Sequence, residues 1–300
     1  MRTQILLNTG PTTLTKTFYE DGVAADPGTV TIGIVDANGD SVVTSGTATS
    51  GTGTNPRTYA LAIQVQVNVL YVTWTRSDTT ANFRDVVEVI GHQLFSLAEA
   101  RAFDGAAMTN TTKYPNADIV AERIRITDLL EQWTGRSWIT RYCRIEAPGS
   151  GTRDLSLRTA RRVASNGETV GGAGYRVGIN AIIRADDGST ITVADVQADA
   201  YTGTLTRLDS TWQTPSSDDP RNVVVEYEYG TPYIDAGVDR IALLLLGDRL
   251  IKSAIPAGAI SYQGEEGAMQ LVREGGPHQN LTRLPEVNAW IAAHRIPLVA

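Results

Sequence analysis

The fold of this chain is decided by residues Phe95–Leu155, which read FSLAEARAFDGAAMTNTTKYPNADIVAERIRITDLLEQWTGRSWITRYCRIEAPGSGTRDL. The stretch predicts a short helix, a polar loop, a longer amphipathic helix and then a change to strand. It separates a threonine-rich front, which lacks a helical period, from a back in which helices and strands are mixed. The sequence therefore predicts an α+β protein with two domains, residues 1–92 and residues 93–300.

The front of the chain carries the pattern of a small β-sandwich. Its first 90 residues contain 18 threonines. Short alternating runs, among them Thr29–Val35, Asn68–Thr75 and Phe83–Ile90, are separated by turn signals, and Asn38-Gly39 is a strong hairpin turn. About six or seven strands at such spacing are typical of an immunoglobulin-like sandwich. We therefore predict that fold for residues 1–92.

The back of the chain carries four predicted helices and a β-rich insert. The helices are expected near 96–103, 117–134, 238–253 and 285–295, and the insert near 138–231. Ser96 and Glu99 form a capping box at the first helix, and Gly135 is the expected stop of the second. The second helix gathers its apolar residues on one face, with its charged residues largely elsewhere. In the insert, Asn222–Tyr229 alternates, so one of its faces should be buried and the other wet.

The sequence shows no pattern of catalysis, cofactor binding or metal binding. The histidines His92, His278 and His294 lack partners at metal-ligand spacing, and no nucleophile elbow or phosphate loop is present. Asp36-Ala-Asn-Gly-Asp40 resembles the opening of a calcium loop, but no glutamate follows at the twelfth position. The single Cys143 is expected to be a buried structural thiol. We therefore predict a protein that is not an enzyme and has no cofactor.

Composition also restricts the classes of partner. The net charge of −7 and a pI near 5.1 argue against a general nucleic-acid binder, although a local basic face stays possible. The longest apolar run, Ile241–Leu246, is far shorter than the roughly 20 residues that a membrane helix needs. The N-terminus has no signal-peptide pattern.

Two groups of residues are candidates for interaction surfaces. Arg153, Arg158, Arg161 and Arg162 lie close together in the insert; they form either a solvated face balanced by nearby acids, or a subunit or channel surface in a ring. Near the C-terminus, Trp290 lies at helical spacing from Val287 and Ile291. This helix either closes the domain core or inserts its aromatic side chain into a groove of a partner.

The back of the chain resembles the head-to-tail adaptor (connector) proteins of long-tailed bacteriophages. The resemblance covers residues 93–300 and rests on Phe95–Arg101, Lys113–Asp118, Trp133–Trp138, the later core helix and Pro285–Ile291. The front looks like the immunoglobulin-like additions of some phage structural proteins, and it departs from a minimal adaptor.

The resemblance implies a structural protein of the virion, assembled in the host cytoplasm and placed at the head–tail junction. It implies a homo-oligomeric ring, typically of twelve subunits, beneath the portal protein. The ring would extend the DNA channel, with possible contact to DNA, and carry a stopper or tail-completion protein. The portal-facing residues would be Leu284, Val287, Trp290, Ile291 and Arg295.

Two other functions are compatible with the sequence. One is a carbohydrate- or cell-surface-binding module of a virion or secreted protein. The other is a hydrolase of unrecognised type. A ring-sized mass or binding to a portal would favour the adaptor, whereas a monomer retained on a glycan column would favour the binding module.

Overall fold

The computed structural model describes most of the chain. The described residues are 2–50, 56–78, 82–156, 178–184, 190–199, 204–215, 221–231, 233–234, 237–251, 261–264, 267–270, 281–282 and 284–295. They form a mixed α+β protein with more strand than helix, so the predicted fold class is confirmed at that level.

The front of the chain, here called the N-terminal unit, consists of strands. They are β1 (Arg2–Leu6), β2 (Thr12–Lys16), β3 (Tyr19–Glu20), β4 (Val23–Ala24), β5 (Val30–Val35), β6 (Ser41–Thr47), β7 (Thr49–Ser50), β8 (Arg57–Leu61), β9 (Asn68–Arg76) and β10 (Asn82–Ile90). One sheet has the order β1-β10-β9-β5-β6, a second has the order β2-β8-β7, and β3 pairs with β4. β1 runs parallel to β10, and the other pairs are antiparallel.

The two larger sheets contribute to one hydrophobic core. Ile32, Leu70 and Trp74 of the five-stranded sheet are almost completely buried, and Leu14 and Leu61 of the smaller sheet join the same cluster. β5 and β9 alternate, so every second side chain of these strands points into this core and the others point away. Burial of these inward side chains is the main stabilising contribution of the unit.

The turn between β5 and β6 is the predicted hairpin. The Asp36 carboxylate accepts hydrogen bonds from the backbone N–H of Asn38 at 2.8 Å and of Asp40 at 2.9 Å. Gly39 has φ +87°, a conformation that favours glycine. The Asp36 carboxylate is therefore engaged in the turn itself.

The helices form a second body, here called the helical unit. They are α1 (Leu97–Ala106), α2 (Asn116–Thr134), α3 (Val238–Leu250) and α4 (Pro285–His294), each within a few residues of its predicted range. Ser96 and Glu99 form the predicted capping box, and Gly135 ends α2 in the left-handed conformation. The helices share one core, in which Ile126, Leu245 and Val287 represent α2, α3 and α4. A short hairpin, β18 (Ser261–Gly264) and β19 (Gly267–Gln270), lies between α3 and α4 in sequence.

The insert between α2 and α3 forms two sheets. Its strands are β11 (Arg141–Ala147), β12 (Asp154–Ser156), β13 (Gly178–Arg184), β14 (Thr190–Ile191), β15 (Val196–Asp199), β16 (Thr204–Arg207) and β17 (Val223–Tyr229), with a short 3-10 turn at Val193–Asp195. The sheet orders are β11-β17-β13-β14 and β12-β16-β15. Leu205 and Trp212 pack with Val225 and Tyr227 in a third hydrophobic core, which both sheets share.

The prediction of one wet face on β17 was wrong. Val224 and Glu226, which alternate with the core residues Val225 and Tyr227, are also buried. On the same face, Arg144 of β11, which pairs with Glu226, donates from Nε to the side-chain oxygen of Asn38 in the N-terminal unit at 2.9 Å. Alternation along a strand therefore does not by itself show that one face meets solvent.

α1 ends earlier than its hydrogen bonds suggest. Phe103 has an extended ψ of 145°, and Asp104, Gly105 and Ala106 have φ values of 53°, 64° and 64°. The left-handed conformation is unfavourable for Asp104 and Ala106, because both residues carry a Cβ. The chain then turns so that Met108 enters the helical core.

We expect Ala106→Gly to stabilise the protein by up to about 1 kcal/mol, because glycine adopts the left-handed conformation without the clash of a Cβ. The measurement is the free energy of unfolding in urea. Ala107→Gly is the matched control: Ala107 has φ −57°, so this change should destabilise. Loss of stability in both variants would contradict the assigned backbone conformation.

Candidate assembly surfaces

The predicted portal-facing helix is α4, and its first turn is fixed by side chains. Leu284 precedes it as the N-cap, and Pro285 occupies the first turn. The Asn288 amide donates to the carbonyl of Thr282 at 2.6 Å and accepts from the Thr282 N–H at 2.9 Å. The start of α4 is therefore held by its own preceding residues.

The apolar face of α4 belongs to the core of the helical unit. Val287 and Ile291 are 0% and 2% exposed. The Trp290 ring lies 4.9 Å from that of Trp138 and stacks on His294 at 4.3 Å. Four of the five predicted portal residues thus contribute to the core, with Val287 and Ile291 buried in it and Leu284 and Trp290 partly buried against it, as expected if this helix closes the core. Contact of these residues with a portal stays a prediction.

The end of α4 is held by the segment that follows α2. Arg136 donates from Nε and Nη2 to the carbonyl oxygen of His294, at 3.1 and 2.8 Å. Its guanidinium also lies 4.7 Å from the Trp138 ring, a cation–π distance. Arg295, the last of the predicted portal residues, is exposed directly after this contact. The solvent-facing side of α4 carries Ala289 and Ala292.

The predicted arginine surface of the insert is described only at one residue. Arg153 is exposed, and its carbonyl accepts hydrogen bonds from the backbone N–H of Arg207 and from the Trp212 ring, both at 2.8 Å. Arg158, Arg161 and Arg162 lie outside the described residues. Whether the four arginines share one surface is therefore still a prediction.

A charged cluster that is buried at Arg141 and Glu88 joins the three parts of the molecule, and the sequence did not predict it. It consists of Arg2, Glu88, Asp128, Glu131 and Arg141, and is called the charged junction below. Arg141, the first residue of β11, is 1% exposed and lies 2.9 Å from Asp128, 3.4 Å from Glu131 and 3.6 Å from Glu88. Its guanidinium thus bridges the insert, α2 and the N-terminal unit.

Arg2 completes the charged junction from the parallel strand β1. Its guanidinium binds Glu88 and reaches Asp128 at 2.9 Å. The Gln4 amide donates to the same Glu88 carboxylate at 2.9 Å. Glu88 therefore has three partners, as a buried carboxylate requires.

The charges of the junction support one another. Burial disfavours the charged guanidinium of Arg141, but the carboxylates of Glu131, Glu88 and Asp128 more than offset this and raise its pKa above the ordinary value. Arg141 therefore stays cationic, and its solvation is replaced by fixed carboxylates. Each charge of the junction depends on partners from another part of the molecule. The junction therefore fixes the positions of these parts relative to one another.

One signal in the sequence could have indicated the junction. Arg141 alternates with Cys143, Ile145 and Ala147, so it begins the face of β11 that faces the core of the insert. A charged residue on such a face needs a buried partner. The identity of that partner was not visible, because Glu88 comes from a strand far away in the chain.

The expected domain boundary is also closely bonded. The Gly91 N–H donates to the carbonyl of Thr140 at 3.0 Å, and His92 Nε2 lies 3.1 Å from the Trp138 carbonyl oxygen. Burial lowers the pKa of His92, which favours the neutral ring in this contact. At Gly230, an added Cβ would lie only 2.0 Å from the Ile139 carbonyl oxygen. The chain thus passes from the N-terminal unit to the helical unit through a packed crossing.

Among the described residues, no group of three or more histidine, cysteine, aspartate or glutamate side chains could hold a metal ion. Cys143, the single cysteine of the sequence, has intermediate exposure beside the core of the insert, so it is less buried than predicted. No helix in the described ranges is both long and apolar enough to cross a membrane.

We expect Arg141→Leu to lower the free energy of unfolding by about 3–5 kcal/mol, because it removes a guanidinium that compensates three carboxylates. Arg240→Leu is the control, since Arg240 pairs with Glu286 on the surface of the helical unit and should change stability little. Urea unfolding measures both variants. If Arg141→Leu changed the free energy of unfolding as little as Arg240→Leu does, the junction would not hold the parts together.

We expect Trp290→Ala to destabilise the helical unit by about 3 kcal/mol, since it removes the ring packed on Trp138 and His294. Ala292→Ser, on the exposed side of the same helix, should be close to neutral. The readout is the urea midpoint together with near-ultraviolet circular dichroism of the tryptophans. An unchanged midpoint for Trp290→Ala would mean that the ring does not contribute to this core.

Comparison with known proteins assigns no family to the chain. No protein-family model matches it, and no curated protein matches it either.

Proposed function

We propose that this protein is a structural, non-enzymatic subunit of a phage head-to-tail adaptor ring, placed beneath the portal and around the DNA channel. The observation that carries the proposal is the arrangement of the helical unit: α1 to α4 share one core, and the β-rich insert emerges between α2 and α3. This order matches what the resemblance of residues 93–300 implies. In the ring, the helical unit builds the frame, and the insert faces a neighbouring subunit, the channel or the stopper.

The N-terminal unit is proposed to be an immunoglobulin-like domain carried on this frame. The order β1-β10-β9-β5-β6 in one sheet, with β2-β8-β7 in the other, supports this assignment. So does the shared core of the two sheets. The charged junction fixes the unit to α2 and to β11, so in a ring it would be held at one defined position.

The surface of α4 suggests how portal contact would be made. Because Val287 and Ile291 are used by the core, a portal would meet the opposite side of the helix, where Ala289, Ala292 and Arg295 are exposed. Small side chains permit close approach of a partner, and Arg295 can pair with an acidic group. We therefore still propose that the C-terminal segment contacts the portal, but through Ala289, Ala292 and Arg295 in place of Val287 and Ile291.

The proposal predicts a ring-sized particle, either alone or on the portal. Native mass spectrometry and analytical ultracentrifugation give the mass, and capture on purified portal rings gives binding. We expect Ala292→Glu and Arg295→Glu to keep the fold and reduce capture at least about tenfold, because they place negative charge in the contact. Val42→Glu, on the exposed part of β6, is the control.

A monomer at all concentrations that also leaves portal rings unbound would contradict this function. Capture that is unchanged by both α4 variants would contradict only the docking helix.

A further inference from the structure

The five-stranded sheet of the N-terminal unit has a face that points away from its core. In β5 and β9, Ile32, Ile34, Leu70, Val72 and Trp74 are buried, so their neighbours in sequence lie on the opposite side. Three cross-strand rows form that side. They are Thr31–Thr75–Asn82, Gly33–Thr73–Arg84 and Val35–Tyr71–Val86. This surface is called the outer face below.

The outer face combines an aromatic ring with hydroxyl groups. Tyr71 is 47% exposed although it lies on a central strand. Thr31, Thr73 and Thr75 lie in the two rows beside it. The hydroxyls of Thr31 and Thr73 can both donate and accept a hydrogen bond, whereas Thr75 already donates to the side-chain oxygen of Asn82 at 2.7 Å. A phenol ring beside a row of hydroxyls offers an apolar surface for C–H groups and polar groups at its margin.

A gap lies between these groups at Gly33. A Cβ added there would meet nothing closer than the carbonyl oxygens of Thr44 at 3.8 Å and Val43 at 3.9 Å, which is ordinary contact. Close packing therefore does not require a glycine at this position. The pairing of β5 with β6 is also irregular around this residue, and such bulges often adjoin binding sites.

Within these three rows, Arg84 is the exposed charge; Arg2, which continues the third row beside Val86, is partly exposed and is bound to Glu88 and Asp128. Arg84 is exposed and makes no hydrogen bond or ion pair with a described residue. Glu88 lies on the same side of β10, but it is buried and bound by Arg2 and Arg141. Asp36 and Asp40 lie in the hairpin turn beyond Val35, where Asp36 accepts backbone hydrogen bonds. A chain of net charge −7 thus presents an unpaired guanidinium on this surface.

We propose that the outer face binds an acidic polysaccharide, with a uronate carboxylate on Arg84 and a sugar ring against Tyr71. A guanidinium matches the geometry of a carboxylate, and the threonines suit sugar hydroxyls. The gap at Gly33 lets the chain of sugars approach the sheet. One arginine is too few for a nucleic acid. The proposal does not depend on ring formation.

The test is binding of the full-length protein to polygalacturonate, with dextran as the uncharged comparison, by affinity electrophoresis and calorimetry. We expect retention by polygalacturonate alone. Arg84→Gln and Tyr71→Ala should each weaken binding about tenfold or more, and Arg84→Gln should also remove most of the salt dependence. Gly33→Val should weaken binding by filling the gap.

Two exposed residues elsewhere serve as controls. Arg153→Gln removes an arginine of the insert, and Tyr19→Ala removes a tyrosine that is 60% exposed at the β3–β4 hairpin. Neither should change retention, and unfolding curves should show that all variants are folded. The proposal is overturned if polygalacturonate is not retained, or if the controls weaken binding as much as Arg84→Gln does. It is also overturned if the outer-face variants instead lower the mass of the particle, since the face would then join subunits.

Discussion

A buried guanidinium needs several carboxylates, and this requirement determines how the parts of the molecule are joined. Arg141 lies at the start of the insert, and no carboxylate of its own strand compensates it. Its partners come from α2 and from β10, so the insert, the helical unit and the N-terminal unit must meet at one point. Hydrophobic burial stabilises each of the three cores separately, but it is not directional. The charged junction determines how the three parts are oriented relative to one another.

The helical unit could be predicted largely from sequence because its signals are local. The capping box at Ser96 and Glu99, the glycine stop at Gly135 and the spacing of Ile119, Ile126 and Leu130 all act within a few turns of one helix. The strands β5, β9 and β10 were visible for the same reason, since alternation is also local. β1 was missed because its partner β10 is distant in the chain, and parallel pairing leaves no turn between them.

The candidate site was harder to predict than the fold, for a physical reason. The spacing of Val287, Trp290 and Ile291 shows an apolar helix face, but it does not show whether the domain or a partner covers that face. Only the position of Trp138, brought beside α4 by the turn after α2, decides this for Trp290. The same limit applies to the second face of β17, whose burial the alternation of the strand did not indicate. A local sequence pattern shows that a surface is apolar. Which element or partner covers that surface depends on the whole fold.

The parallel pairing of β1 with β10 has a consequence for synthesis on the ribosome. Gln4 and its partner Glu88 are 84 residues apart, so β1 cannot take its place until almost the whole N-terminal unit has been made. Arg141 leaves the ribosome later still, and until then the Glu88 carboxylate has only Arg2 and Gln4 as partners. The nascent chain therefore completes its first sheet before Arg141 can fix that sheet against the helical unit and the insert. The N-terminal unit thus folds first, and its position relative to the other parts is set later in translation.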